Sequence, residues 1–573
     1  MELNFVDTKA ELVGMVRECR NLRQKIKRDQ EPMLADPVPN IMNTFPPRDT
    51  CDRLVKHYLR TFELIYRVVH IPTFWKEYEE FWKDPAAVPF SFTIQLGLLM
   101  AIGSVFDADR DGTTDLMSRK WVYAAQWWLV GPSAKSTMNL AGIQNFCLLL
   151  ISRQVTSFGP SLWLSEASLL KMAMIMGLHR DTALFNLDHL QSALRQRLWT
   201  TILELVVHGS VDTSTPLLLT LTDFDTHIPL NILDADLSSG ITEAPMQQPL
   251  RTFTEASIQI LLRKSLPVRI EAARVINNAR GEQSYEQAIA LSTKIQDICR
   301  EIAQYCRLHW TNFLGMHHKF LDMQLRRYIL LLHRPFMLQA CNDPRFYLSR
   351  KICLESAMII ASYAALINIP SGVLDDLSRL MIMSTGTFRG ALTLDVITVL
   401  GLEVIRQIEE SNIGTSFAPG TDGDLILDPL AEMARAQREP VMRTLEHLKE
   451  QLLQIIKLGH PHLKRYIFLA GVISQIRAME TGQGVQPAVV RAAQESLRIC
   501  YTALQSASTP IDLQDPLNNF DFNDPAFLMD LETMVSTFIC DWVRFERQDL
   551  IISRTRILPW TFPRSCSHHS KGG

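Results

Sequence analysis

Residues 321–336 read LDMQLRRYILLLHRPF, and Leu321, Leu325, Tyr328, Leu332 and Phe336 fall at positions 0, 4, 7, 11 and 15. That spacing places all five on one helix face, and Pro335 is expected to close the helix. The same period recurs on both sides of this stretch. Leu54, Tyr58, Phe62 and Ile65 lie at positions 0, 4, 8 and 11. Residues 165–178 are apolar nearly all round, which predicts a buried helix. Gly177 stands where its C-cap belongs, followed by His179 and Arg180 at the negative helix end. No sustained strand-type alternation and no internal repeat is visible. Glycine (25) and proline (28) together make up only about 9% of 573 residues, against a usual ~12%. Few breakers over a long apolar chain predict an all-α fold, with one large multi-helix domain at its centre.

Six segments follow from the composition. Residues 1–30 form a short basic coiled-coil helix, in which Leu12, Met15, Cys19, Leu22 and Ile26 are spaced 3, 4, 3 and 4, with Phe5 extending the seam. Residues 31–48 contain five prolines and read as a linker. The main helical domain spans 49–410, and 411–428 is a loop rich in Gly, Ser, Thr and Asp. Residues 429–508 return to helical pattern, at 429–480 and again at about 486–508. The tail, 509–573, is acidic and aromatic at first and is expected to be disordered thereafter.

With 58 basic and 61 acidic residues, the net charge is −3, which argues against a whole-surface nucleic-acid binder. Ten scattered cysteines form no disulfide framework, so a reducing compartment is expected. The N-terminus shows no signal peptide. The longest uncharged apolar stretch, Phe90 to Phe106, is too short and too polar to span a bilayer, which takes about 20 apolar residues. A soluble, intracellular protein is the expectation.

Motifs for chemistry are absent or broken. No phosphate loop, dinucleotide fingerprint, nucleophile elbow or zinc-protease signature occurs. Asp107-x-Asp109-x-Asp111-Gly112 imitates a calcium loop, but its twelfth position is Ser118 where a bidentate Glu belongs; a solvated acidic loop is expected. Cys299 and Cys306, with His309 nearby, share a helix face, yet zinc needs four ligands and no further pair is close. Core packing is the expected role for these thiols, and helix-end polar filling for His317 and His318. Cys566 with His568 and His569 falls in the tail. Asp223/Asp225 and Asp521/Asp524 lack the paired carboxylates of a magnesium-dependent cyclase, and belong to a loop and the tail. No enzyme, no metal site and no cofactor is expected in this chain.

Three stretches in order carry a resemblance. The first is Tyr66 to Tyr78, with His70-x-Pro72-Thr73-Phe74. The second runs from Trp163 to Gly177-Leu178-His179-Arg180-Asp181, followed by Leu194-Arg195-Gln196-Arg197-Leu198-Trp199 and Asp223-Phe224-Asp225. The third is LLLHRPF at 330–336, followed by Asp343-Pro344-Arg345-Phe346 and Ser349-Arg350-Lys351. As a set they resemble the middle, regulatory region of the fungal zinc-cluster transcription factors, over about residues 49–405 and more weakly to about 505. Packing and capping are the expected work of these residues, with the aliphatic stems of Arg195 and Arg197 covering apolar surface beside Trp199. The resemblance also implies a small-molecule effector pocket, whose lining the sequence does not name.

Members of that family begin with six cysteines binding two zinc ions. Here only Cys19 and Cys51 precede residue 100. Either the gene model is truncated, with zinc expected only in a missing upstream cluster, or the chain is a zinc-free relative. The basic face Arg17, Arg20, Arg23, Lys25, Lys27 and Arg28 remains. It reads as the solvated face of a dimerisation helix, a nuclear-import signal, or a contact for DNA phosphates. In the tail, Phe520, Phe522 and Phe527 sit among Asp515, Asp521 and Asp524, the composition of an activation segment that docks on transcription machinery. The expectation is a nuclear regulator of a metabolic or biosynthetic gene set, a homo- or heterodimer that reaches DNA directly or through a partner and has no membrane contact. The alternative is a partner protein that pairs with full-length relatives and does not read DNA itself.

Overall fold

In the computed structural model the described residues are 14–22, 25, 41–131, 137–156, 164–237, 245–278, 283–311, 315–340, 342–364, 375–415, 429–457 and 463–507. The chain divides into two compact units. One is residues 18–509, and the other joins residues 1–17 with 510–573. Of the second unit only residues 14–17 are described, and they are helical. The acidic tail, and with it Phe520, Phe522 and Phe527, lies outside the described residues, as do Arg23, Lys27 and Arg28.

The large unit is all helical, with no strand among the described residues. Its first half comprises α1 (Arg48–Arg60), α2 (Glu63–Tyr66), α3 (Ile71–Lys83), α4 (Phe90–Gly103), α5 (Gly112–Val130), α6 (Leu140–Val155), α7 (Glu166–Ile175) and α8 (His189–Thr213). The second half adds α9 (Ser257–Ile276), α10 (Tyr285–Leu308), α11 (Gly315–Gln339), α12 (Tyr347–Ser362), α13 (Asp376–Met383) and α14 (Leu394–Thr415). The last three are α15 (Pro429–Lys457), α16 (Leu463–Thr481) and α17 (Val485–Ala507).

The apolar stretch at 90–106 becomes the hub of the first half. Every residue of α4 from Phe92 to Gly103 is buried, because α1, α5 and α6 surround it; a helix apolar all round has no solvent face to present. Gly103 lets α1 cross closely, since a Cβ there would lie 1.9 Å from the Leu54 carbonyl oxygen. No helix among the described residues is long and apolar enough to cross a membrane. In the second half, α11 packs between α10 and α12, and α15, α16 and α17 pack together beside α14.

Several local expectations are corrected. Pro335 does not close its helix. α11 continues to Gln339 with the proline inside it. The missing N–H leaves the Leu331 carbonyl without its helical donor, and one residue on Leu332 O accepts from Gln283 Nε2 at 3.0 Å. The run Leu54–Ile65 is buried as its spacing requires, but it is two helices, broken at Thr61. There Thr61 Oγ1 donates to His57 O at 2.6 Å, and His317 Nε2 lies 3.0 Å from Thr61 O. His317 is therefore a buried tie between α11 and the α1 break, not helix-end filling. α7 is not buried all round; Leu169, Leu170 and Ala173 face the core while Ile175 is 63% exposed. The last residues of the proline-rich segment are packed structure: Ile41 is buried, and Phe45 sits 5.9 Å from Trp121 and 6.0 Å from Phe81 between ring centroids.

Candidate functional site

The three ordered motifs become three polar junctions inside the large unit. The first joins α2, α3 and α8. Arg67 ends α2 in a left-handed conformation, φ 48°, which points its guanidinium into the protein. It is fully buried, bonded to Asp234 and 3.3 Å from Glu63 Oε1. Arg197 of α8 reaches the same Asp234 Oδ1 at 2.8 Å. Asp234 Oδ2 accepts from Ile71 N at 3.3 Å, and its carbonyl lies 3.0 Å from His70 Nε2. His70 Nδ1 lies 2.7 Å from Thr73 Oγ1, so the His-x-Pro-Thr motif starts α3 and fastens it to the Asp234 turn. Gln259 of α9 completes the junction, donating to Tyr66 O at 3.1 Å and Arg197 O at 2.9 Å.

Electrostatics explain how so many charges are held in a buried junction. Burial pushes the Asp234 carboxyl up, but Arg67 and Arg197 outweigh it and hold it at about 2. Burial pushes Glu63 up to about 7 against the pull of Arg67, although Glu63 accepts from Tyr58 Oη at 2.7 Å and from Val68 N and Val69 N at 3.1 Å. A second buried pair joins α8 to α9. Arg269 is bidentate to Glu204 at 2.6 and 2.5 Å, and His208 Nε2 is 3.8 Å from Glu204. Burial pushes His208 down to about 4, despite that carboxylate.

The second motif closes α7. Gly177 has φ +74°, and Leu178 N donates to Ala173 O and Gly177 N to Met174 O, both at 3.0 Å. This is the Schellman end. The chain then docks on the Asp223–Asp225 turn. Asp225 N donates to His179 O at 3.1 Å, Asp225 Oδ1 accepts from Asp181 N at 2.6 Å, and Arg180 Nη2 faces Oδ2 at 3.1 Å. Phe224 meets the buried Trp199 edge-on at 5.7 Å, under the Arg263 guanidinium at 5.0 Å. Arg195 lies with its guanidinium over Phe185, not with its stem beside Trp199, and donates to Met176 O at 3.1 Å. Arg197 departs from expectation: it is a fully buried ion, not a surface stem.

The third motif ties α11 to α12. His333 is buried between Ser349 Oγ and Ser292 Oγ, each at 2.8 Å. Phe336, Tyr285 and Phe346 form a cluster with centroids 5.0 to 5.3 Å apart, and Asp343 caps the turn Pro344–Phe346 through Arg345 N at 3.0 Å. Arg350 bridges Glu403 at 2.8 Å and Glu410 at 2.5 Å, holding α14 against α12.

The residues singled out for metal are scattered or buried. Cys299 and Cys306 are core residues whose thiols burial pushes up to about 12 and 11. No group of three metal-ligating side chains occurs among the described residues. In the Asp107–Gly112 loop, Asp109 is exposed, but Asp107 is buried on Arg53 at 3.1 Å and Asp111 caps α5 through Thr114 N at 2.8 Å. Ser118 is buried against Ser104 at 3.1 Å. Asp107 therefore departs from the solvated-loop expectation. Of the basic face, Arg17 is exposed and Arg20 and Lys25 are half-buried. Sequence reasoning missed Glu63, Arg67, Asp234, Gln259, Glu204 and Arg269. The signal for Glu204 was present, a single carboxylate inside the apolar run Ile202 to Val207; Asp234 carried none.

The fungal specific transcription factor domain matches residues 55–307, the region of the first two junctions. The chain is 48% identical over 558 residues to the transcription factor opdR of Penicillium oxalicum, covering 93% of this chain and 70% of that protein. It is 31% identical over 528 residues to the transcription factor lepE of Aspergillus flavus, covering 89% of this chain and 62% of that protein. It is 26% identical over 488 residues to the aspyridones cluster regulator apdR of Emericella nidulans, covering 82% and 60%. The chain thus spans between three-fifths and seven-tenths of the length of these relatives. No solved structure matches. These relatives are transcription factors, not enzymes, and the buried ion pairs and protonated thiols described above are structural. With nearly half its residues shared with opdR across most of its length, this chain belongs to the fungal zinc-cluster transcription factor family.

Proposed function

We propose that the chain regulates transcription of a fungal biosynthetic gene cluster, acting in the nucleus as a homo- or heterodimer. The observation that carries this is the 48% identity to a transcription factor over 93% of the chain; the likeness to a regulator named for the aspyridones cluster supports the biosynthetic target. The helical unit is the regulatory scaffold. A small-molecule effector, the Phe520, Phe522 and Phe527 segment as an activation element, and import through Arg17–Arg28 belong to the same reading. Deleting the gene and measuring transcripts genome-wide tests it. Collapse of one contiguous set of biosynthetic transcripts, restored by complementation, is the expected result; an unchanged transcriptome under producing conditions overturns it.

A further inference from the structure

We infer that the N-terminal seam is docked in cis on α17 at Cys19, so that intramolecular docking and coiled-coil dimerisation compete for one face. This rests on the dimer reading proposed above.

Cys19 lies 478 positions from Leu497, yet its thiol donates to the Leu497 carbonyl at 3.7 Å. It is 1% exposed, while Glu18 and Asn21 on either side face solvent and Leu22 is half-buried. Cys500, one turn further along α17, is also buried and close enough for its thiol to feel Cys19 electrostatically. The buried side of the segment is therefore the Cys19 side, and it faces α17. Cys19 is also the middle residue of the 3, 4, 3, 4 spacing. In a coiled coil such a residue enters a hole formed by four residues of the facing helix. One side chain cannot fill that hole and be sealed against Leu497 and Cys500 at once. Arg20 and Lys25 on the same segment are half-buried. A chain that dimerises through this seam must first leave α17, and its basic residues leave with it.

The test uses the full chain and native-state alkylation of Cys19 by N-ethylmaleimide, read by peptide mass, beside light scattering for oligomeric state. In the wild type, Cys19 should label at least about tenfold more slowly than in the urea-unfolded chain, since reaction requires local opening, and the protein should be monomeric at micromolar concentration. Cys500→Trp fills the dock without touching the seam. It should raise Cys19 labelling toward the unfolded rate and raise the dimer fraction, with Leu22→Lys in that background restoring the monomer. Should Cys500→Trp not fold, the wild-type measurements still decide. Rapid Cys19 labelling in the wild type overturns the dock, and slow labelling in a wild-type dimer overturns the competition. Cys19 freed by Cys500→Trp in a chain that stays monomeric removes the dimer reading, and the competition with it, while the dock stands.

Discussion

Arg67 and Asp234 stand 167 positions apart and meet as a buried ion pair, with Arg197 closing on the same carboxylate oxygen. Two cations share one anion, and Glu63 supplies a second, partly protonated carboxyl. Glu255 is a third carboxylate at the junction, accepting from Asp234 N at 3.3 Å.

Asp234→Ala should be severe. It leaves Arg197 buried without its carboxylate, Arg67 with Glu63 at 3.3 Å in place of two partners, and the Ile71 N–H without its acceptor. Breaking a buried pair costs about 3–5 kcal/mol. The midpoint of urea unfolding should fall accordingly, with Asp234→Asn intermediate. A midpoint within error of wild type would mean that the junction is not closed in solution.

Acid should destabilise the fold well above the carboxylate range. His208 and His333 are held neutral by burial, each down to about 4 from an ordinary 6.5. Between about 6.5 and 4.5 the unfolded chain binds two protons there that the folded chain does not. Glu63 opposes this, since its folded value of about 7 lies above the ordinary 4.5; its stabilisation is lost as pH rises through 7. These three groups balance at one proton, so stability should fall as pH drops through that window, with Glu77 and Glu166, also raised by burial, working against the fall. His57, His70 and His317 are shifted down by burial too and steepen the slope. Urea titrations at three pH values across the window check the sign, and His333→Gln should reduce the slope.

Much of the helical frame was legible because burial of one face imposes a period, as at Leu54 and Tyr58, and because Gly177 marks a left-handed end. What was not legible has two physical origins. Periodicity scores a charge as a surface residue, so Arg67 and Glu204 vanished into apolar runs, although pairing rather than exposure satisfies them. And a proline reads as a stop, whereas Pro335 sits in a helix packed on both sides by α10 and α12, whose contacts hold the helix through the lost hydrogen bond. Asp234 could not have been found locally, because its partners come from α2, α3 and α8, far from it in sequence.

Two glycines should respond with opposite sign to the same change. Gly103→Ala puts a methyl 1.9 Å from Leu54 O, backbone that cannot swing aside. Forcing α1 from α4 should cost about 1–3 kcal/mol or more. Gly471→Ala meets only Val489 at 3.7 Å, ordinary contact, and should gain about 0.5–1 kcal/mol from helix propensity. Thermal midpoints of the two variants should move apart from wild type, down and up; a Gly103→Ala midpoint at or above wild type would contradict the α1–α4 crossing.

DNA binding by the chain itself should be weak and without sequence preference. Its densest basic run is Arg17–Arg28, with six basic residues against one glutamate. Such side chains contact phosphates, which position a protein and carry no sequence information. Each neutralised phosphate adds about 0.9 to the slope of log affinity against log salt on duplex DNA. Reversing Arg23, Lys25 and Lys27 to Glu should therefore remove about 2–3 from that slope and abolish the residual binding. Fluorescence anisotropy on two unrelated duplexes of equal length, across a salt series, measures both quantities. Tight binding to one duplex that persists at high salt, and that discriminates against single base changes, would require base contacts that a bare basic helix does not supply. It would place a recognition element elsewhere in the chain.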